Sequence, residues 1–131
     1  MNLLLDTHIF LWSVLEPSRP TPAVREALTN GDNALWLSPI SLWEVLVLAE
    51  KGRLELDTEP EAWARTALKQ CPVREAALTH AVTLACQRVT LPHGDPADRL
   101  LAATALVRNL TLVTADRRLI DTPEITVLAN R

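Results

Sequence analysis

The sequence predicts an α/β domain whose parallel sheet is covered by helices on both faces. Two observations carry this reading. Short apolar runs without polar alternation recur along the chain, as expected of strands buried on both sides. Between them lie longer segments with helix start and stop signals, and such alternation favours parallel pairing. The 131 residues suffice for one domain, 1–131, and no linker or internal repeat suggests a second.

The elements follow in order. NLLL (2–5) is a buried strand, and THIFLWSVL (7–15) is apolar enough for a helix that stops at EPSRP. Thr21 before Pro22 is an N-cap with proline at the first helical position, opening a helix to about Thr29. Asn30-Gly31-Asp32-Asn33 makes a turn, and ALWLS (34–38) makes the second strand. Ser38-Pro39 starts a helix that stops at Gly52. Thr58-Glu59-Pro60-Glu61 has the capping-box pattern and begins a helix to about Gln70. A short strand is placed near Cys71–Val73 and a helix over 75–88, followed by the loop VTLPHGDP. PADRLLAATALVR (96–108) is a helix, with Asn109 suited to its C-terminal cap. LTLVT (110–114) is a strand, ADRRLID a turn or short helix, and ITVLA (125–129) the last strand.

Composition narrows the class. With 48% hydrophobic and 22% charged residues the chain can bury a core. No run of about 18 apolar residues is present, so nothing reads as spanning a membrane, and the N-terminus does not read as a secretory signal. Cys71 and Cys86 are far apart and in no metal pattern, which points to reduced, buried thiols in a cytoplasmic protein rather than a disulfide. A net charge of −3 argues against a nucleic-acid binder held by global charge. A local basic rim stays open, because eleven of the thirteen basic residues are arginine, the better fork for phosphate.

The informative feature is where the acids fall. In an open parallel sheet, ligands bind outside the carboxyl ends of the strands. Asp6 follows the first strand and Asp116 follows the fourth. Glu44 lies on the helix leaving the second strand, and Asp95 and Asp98 flank the start of the helix that runs into the fourth. These five can converge on one crevice. Each alone has a blander explanation. Asp6 can cap the helix at Thr7, Asp95 and Asp98 form a good helix start, and Asp116 can begin a turn. Glu44 can close a capping box from Ser41, yet it sits in an otherwise apolar run, where a carboxylate needs a partner. Capping accounts for any one acid but not for so many at one edge. Two like charges 4 Å apart repel by about 1 kcal/mol in water and by about 4 at an effective dielectric of about 20. A cation relieves that repulsion, and an all-oxygen donor set favours Mg²⁺ or Mn²⁺ over zinc. His8, His80 and His93 are not spaced as a histidine-based site and read as surface or supporting residues.

The stretches LLLDTHIFLW, SPISLWEV, DPADRLLAATAL and LVTADRRL resemble, in order and spacing over nearly the whole chain, the acidic motifs of PIN-domain nucleases. The VapC-type toxin branch of toxin–antitoxin systems is the nearest likeness. The resemblance implies a three-layer α/β/α fold around a parallel sheet of four to five strands, commonly in the order 3-2-1-4-5. It implies a Mg²⁺- or Mn²⁺-dependent endoribonuclease, a homodimer and a cognate antitoxin that blocks the site. It carries Asp6, Glu44, Asp98 and Asp116 over as catalytic, metal-holding acids, with Asp95 an accessory candidate. Thr7, Ser41 and Thr114 match small hydroxyl positions that orient carboxylates or waters.

The expected chemistry is in-line attack of a metal-activated water on phosphorus, and the resemblance implies products with a 5′-phosphate and a 3′-hydroxyl. Arg99, Arg117 and Arg118 stand beside the acids and are candidates for RNA phosphates, or for ion pairs with those acids. Trp12, Trp36 and Trp43 read as core or dimer contacts before base-stacking residues. Competing readings are a phosphatase-like hydrolase, a DNA-directed nuclease and a catalytically silent scaffold. The first needs a DxD acid where His8 stands and a later lysine, whereas Lys51 and Lys69 are the only two lysines.

Overall fold

Leu3, Leu4 and Leu5 are all fully buried, which an element achieves only when both its faces are covered. In the computed structural model, which describes residues 1–92 and 94–131, they form the central strand of the sheet. In chain order the elements are β1 (Asn2–Leu5), α1 (Thr7–Leu15), α2 (Pro22–Thr29), β2 (Ala34–Leu37), α3 (Pro39–Glu50) and α4 (Pro60–Gln70). There follow β3 (Arg74–Glu75), α5 (His80–Ala85) with a 3-10 turn at Cys86–Arg88, α6 (Pro96–Arg108), β4 (Thr111–Thr114), α7 (Arg117–Ile120) and β5 (Thr126–Ala129).

All four strand pairings are parallel, in the order β3-β2-β1-β4-β5, the order implied by the resemblance. Alternation of side chains along the strands sorts the core into two halves. Leu3, Leu5, Leu37 and Val113 face α1 to α4, packing on Phe10, Val24, Val45 and Trp63. Leu4 and Leu112 face α5 and α6, packing on Val82, Leu101 and Ala105. The result is three layers, α/β/α. Each fully buried leucine contributes about 1.5–3 kcal/mol of apolar burial. No helix among the described residues is long and apolar enough to cross a membrane.

Several local expectations need correction. The third strand is Arg74–Glu75 rather than Cys71–Val73. It is two exposed residues on the sheet edge, with no apolar signal to read. Because these residues join the sheet, the next helix begins at His80 and not at 75, capped by Thr79, whose Oγ1 accepts the Val82 N–H at 3.2 Å. Helix α4 is capped by Glu59 rather than Thr58, whereas α3 starts at Ser38-Pro39 as expected, so the alternative of a capping box from Ser41 does not hold. In both, the cap is the residue before the proline at the first helical position. Cys71 and Cys86 are free thiols in opposite layers, half-buried rather than fully buried. Trp43 stands 59% exposed on α3 and is no core residue.

Candidate active site

Asp6 is delivered by β1 to the carboxyl edge of the sheet, where it caps α1. It is buried. Its Oδ1 accepts the Thr7 backbone N–H at 2.7 Å, and its Oδ2 accepts the Thr114 hydroxyl at 2.7 Å. The second bond exists because β4 lies beside β1 in register, Leu5 opposite Val113. Thr114 Oγ1 also accepts the Asp116 N–H at 3.1 Å, so one hydroxyl fixes two acids.

Glu44 comes from the second turn of α3 and is half-buried. The partner that an acid in an apolar run requires is Thr7, whose hydroxyl donates to Glu44 Oε1 at 2.6 Å. Asp95 caps α6, its Oδ1 accepting the N–H groups of Ala97 at 2.9 Å and Asp98 at 3.4 Å. Asp98, in the first turn of α6, is buried. Asp116 caps α7 and accepts the Arg118 backbone N–H at 2.9 Å. It also receives the Arg118 guanidinium through Nε at 3.2 Å and Nη2 at 3.0 Å, and the same Nη2 lies 4.0 Å from Asp98. Capping and convergence are therefore compatible. Asp6, Asp95 and Asp116 are all helix caps, and all five acids line one cavity of about 340 Å³.

The electrostatics follow from burial and crowding. Burial pushes the Asp98 carboxyl up to about 7, aided by the nearby charges of Asp95, Asp6 and Asp116 and opposed by Arg118. Burial also raises Asp6, against the hydrogen bonds from Thr114 and Thr7. Glu44 is raised by burial, with Asp6 and Asp95 adding to it and the Thr7 bond opposing. Three acids in one cavity all resist ionisation.

That donor set fits a hard divalent cation, whose charge would offset the cost of ionising these acids. Among the described residues, no three histidine, cysteine or acidic side chains stand close enough to hold an ion directly.

Other expected residues are placed differently. Ser41 is fully buried, but its hydroxyl has no hydrogen-bond partner among the described residues, and it does not line the cavity. Arg99 turns inward, its Nη1 donating to the carbonyls of Cys86 at 3.2 Å and Val89 at 3.0 Å, which ties α6 to the 3-10 turn. Arg117 is exposed outside the acidic cavity. His80 is an exposed residue at the start of α5, and His93 lies outside the described residues. His8, read as a surface or supporting residue, and Trp12, read as a core or dimer contact, also line the acidic cavity, with ring centroids 6.2 Å apart. Their i, i+4 spacing just after Asp6 puts them on one face of α1 and was a readable signal.

An all-parallel sheet in this order, with an acidic cavity at its carboxyl edge, defines the class. The model of the PIN domain family matches residues 3–125, and the chain belongs to that family. It is 38% identical over 121 residues to Ribonuclease VapC22 of Mycobacterium tuberculosis, a match covering 90% of this chain and 89% of that protein. Among solved structures it is similar in fold to VapBC2 from Rickettsia felis bound to a DNA fragment from their promoter. There the TM-score is 0.75 and the identity 18%, over 98% of each chain. DNA-bound VapBC from Salmonella typhimurium gives a TM-score of 0.74 at 19% identity, covering 100% of this chain and 99% of that one.

Proposed function

We propose that this chain is a metal-dependent endoribonuclease that acts as the toxin of a toxin–antitoxin pair in the cytoplasm. The observation that carries the proposal is the convergence of Asp6, Glu44, Asp98 and Asp116 in one cavity, with Asp98 raised to about 7. The 38% identity to a ribonuclease over most of both chains supports RNA as substrate. Mg²⁺ or Mn²⁺ among these acids would supply positive charge to the scissile phosphate and acidify a nearby water. Asp6, Asp98 and Asp116 would hold the ion, with Asp95 in an accessory role. Glu44, fixed by Thr7, would position the attacking water. Thr114 keeps Asp6 and Asp116 in register across two strands, and hydrolysis would leave a 5′-phosphate and a 3′-hydroxyl.

Structures of similar fold include toxin–antitoxin complexes, which supports a cognate antitoxin as partner. A homodimer is the assembly we expect from the family, with exposed Trp43 available for a protein contact. The test is cleavage of a small-RNA pool by the antitoxin-free protein in Mn²⁺, Mg²⁺ or EDTA, beside a folded Asp98→Asn variant. Metal-dependent cuts at discrete sites, lost in the variant, are the expected result. Cuts that persist in EDTA or in the variant would overturn the assignment. Absence of both cleavage and Mn²⁺ binding would leave the acids as helix caps only.

A further inference from the structure

Beside the acidic cavity lies a second one of about 350 Å³, lined by Thr90, Leu91, Pro92, Arg117, Asp121 and Pro123. The two share Arg118 in their walls. We propose that this second cavity is a subsite for the nucleotide adjoining the scissile phosphate, with Arg117 meeting that nucleotide's own phosphate. The inference rests on the ribonuclease reading.

Three features point to this occupant. The first is continuity. A strand whose phosphate reached the acids past Arg118 would enter this cavity with its next residue. The second is charge. Arg118 is engaged by Asp116, whereas the exposed Arg117 side chain makes no hydrogen bond or ion pair among the described residues. Arg99 is spent on backbone carbonyls, so of the three arginines near the acids Arg117 is the one placed to meet a phosphate. The third is shape. Leu91, Pro92 and Pro123 give an apolar wall against which a base can lie, and the volume falls within the roughly 300–1,000 Å³ of small-molecule sites. Asp121 puts a carboxylate in the same wall, which disfavours a bare anion but can accept a hydrogen bond from a ribose 2′-hydroxyl.

The wall is also held in place. Glu124 accepts both the Thr90 backbone N–H and its hydroxyl at 2.8 Å, tying the segment before α6 to the approach of β5. This makes Glu124 a positioning residue for the subsite.

The test is fluorescence anisotropy of a labelled decamer of uridine RNA in EDTA, with the full chain, across a salt series. Arg117→Gln is expected to weaken binding roughly fivefold to tenfold at about 50 mM salt and to lower the salt slope by about 0.7, one phosphate on a single strand. Arg117→Lys should restore most of the slope. Pro123→Glu, which adds a carboxylate to the wall, should weaken binding as well. Arg65→Gln removes the same charge from exposed α4, in the layer on the other side of the sheet, and should change binding less than about twofold. Equal losses in Arg65→Gln and Arg117→Gln would show a global charge effect and overturn the subsite. So would an unchanged slope in Arg117→Gln while the wild type still cleaves RNA. If the wild type neither binds the decamer nor cleaves the RNA pool, the ribonuclease reading itself falls and takes the subsite with it.

Discussion

A single hydroxyl on β4 governs much of the candidate site. Thr114→Val would leave Asp6 Oδ2 without its donor in a buried position and deprive the Asp116 N–H of its acceptor. A cost of about 1–3 kcal/mol is expected. Urea denaturation would read it, and an unchanged midpoint would mean that the bond carries no weight. Ser41 is the converse case. Its buried hydroxyl satisfies nothing among the described residues, so Ser41→Ala should be neutral or stabilising by up to about 1 kcal/mol, with cleavage unaffected. Loss of cleavage at unchanged stability would restore to Ser41 the orienting role that the resemblance implied.

At the scale of elements, prolines fix where four helices begin. Pro22, Pro39, Pro60 and Pro96 each open a helix, and the residue before each is its N-cap. Applied uniformly, that rule locates Glu59 as a cap just as it located Ser38. The capping-box pattern at Thr58 misled because it ignored Pro60. The central strands were readable because burial on both faces leaves an unbroken apolar run. Strand β3 was not, since an exposed edge of two charged residues has no such run. Asp6 and Asp116 were readable as acids following those runs, Glu44 as an acid within an apolar helix and Asp95 and Asp98 as a helix start, and all five do share one cavity. What lay beyond sequence was pairing over long separations. The Thr7–Glu44 bond and the inward turn of Arg99 depend on how elements stack, whereas the clamp of Arg118 on Asp116, two residues away, is one of the ion pairs the sequence allowed. Asn109 ends α6 at φ 53°, a left-handed position that asparagine tolerates better than most residues. Asn109→Ala should cost about 1–2 kcal/mol and Asn109→Gly much less, measured by chemical denaturation. Equal stability of all three would contradict the left-handed cap.

For the whole molecule, the crowded acids make stability depend on pH and on metal together. Asp98 titrates near 7 when folded, against about 4 for an unperturbed aspartate. Between those values the folded state holds a proton that the unfolded chain has lost, so this contribution falls as pH rises and is gone above about 7. Asp6 and Glu44 are shifted in the same direction. In thermal melts the metal-free protein should therefore unfold at lower temperature at pH 8 than at pH 6, so far as these groups govern. Mn²⁺ should raise Tm more at pH 8, where it no longer competes with the proton. Asp98→Asn should flatten both trends, and an equal Mn²⁺ effect at the two pH values would refute the coupling. A last consequence concerns time rather than geometry. The strand order puts β1 between β2 and β4, so Asp6 meets its partner Thr114 across 108 positions of sequence. As the ribosome extends the chain, Asp6 is made early, yet its Oδ2 lacks the Thr114 donor until β4 has emerged and docked against β1. On the proposed reading, a nascent chain whose β4 has not yet docked cannot assemble the acid cluster, because Asp116 follows that strand directly.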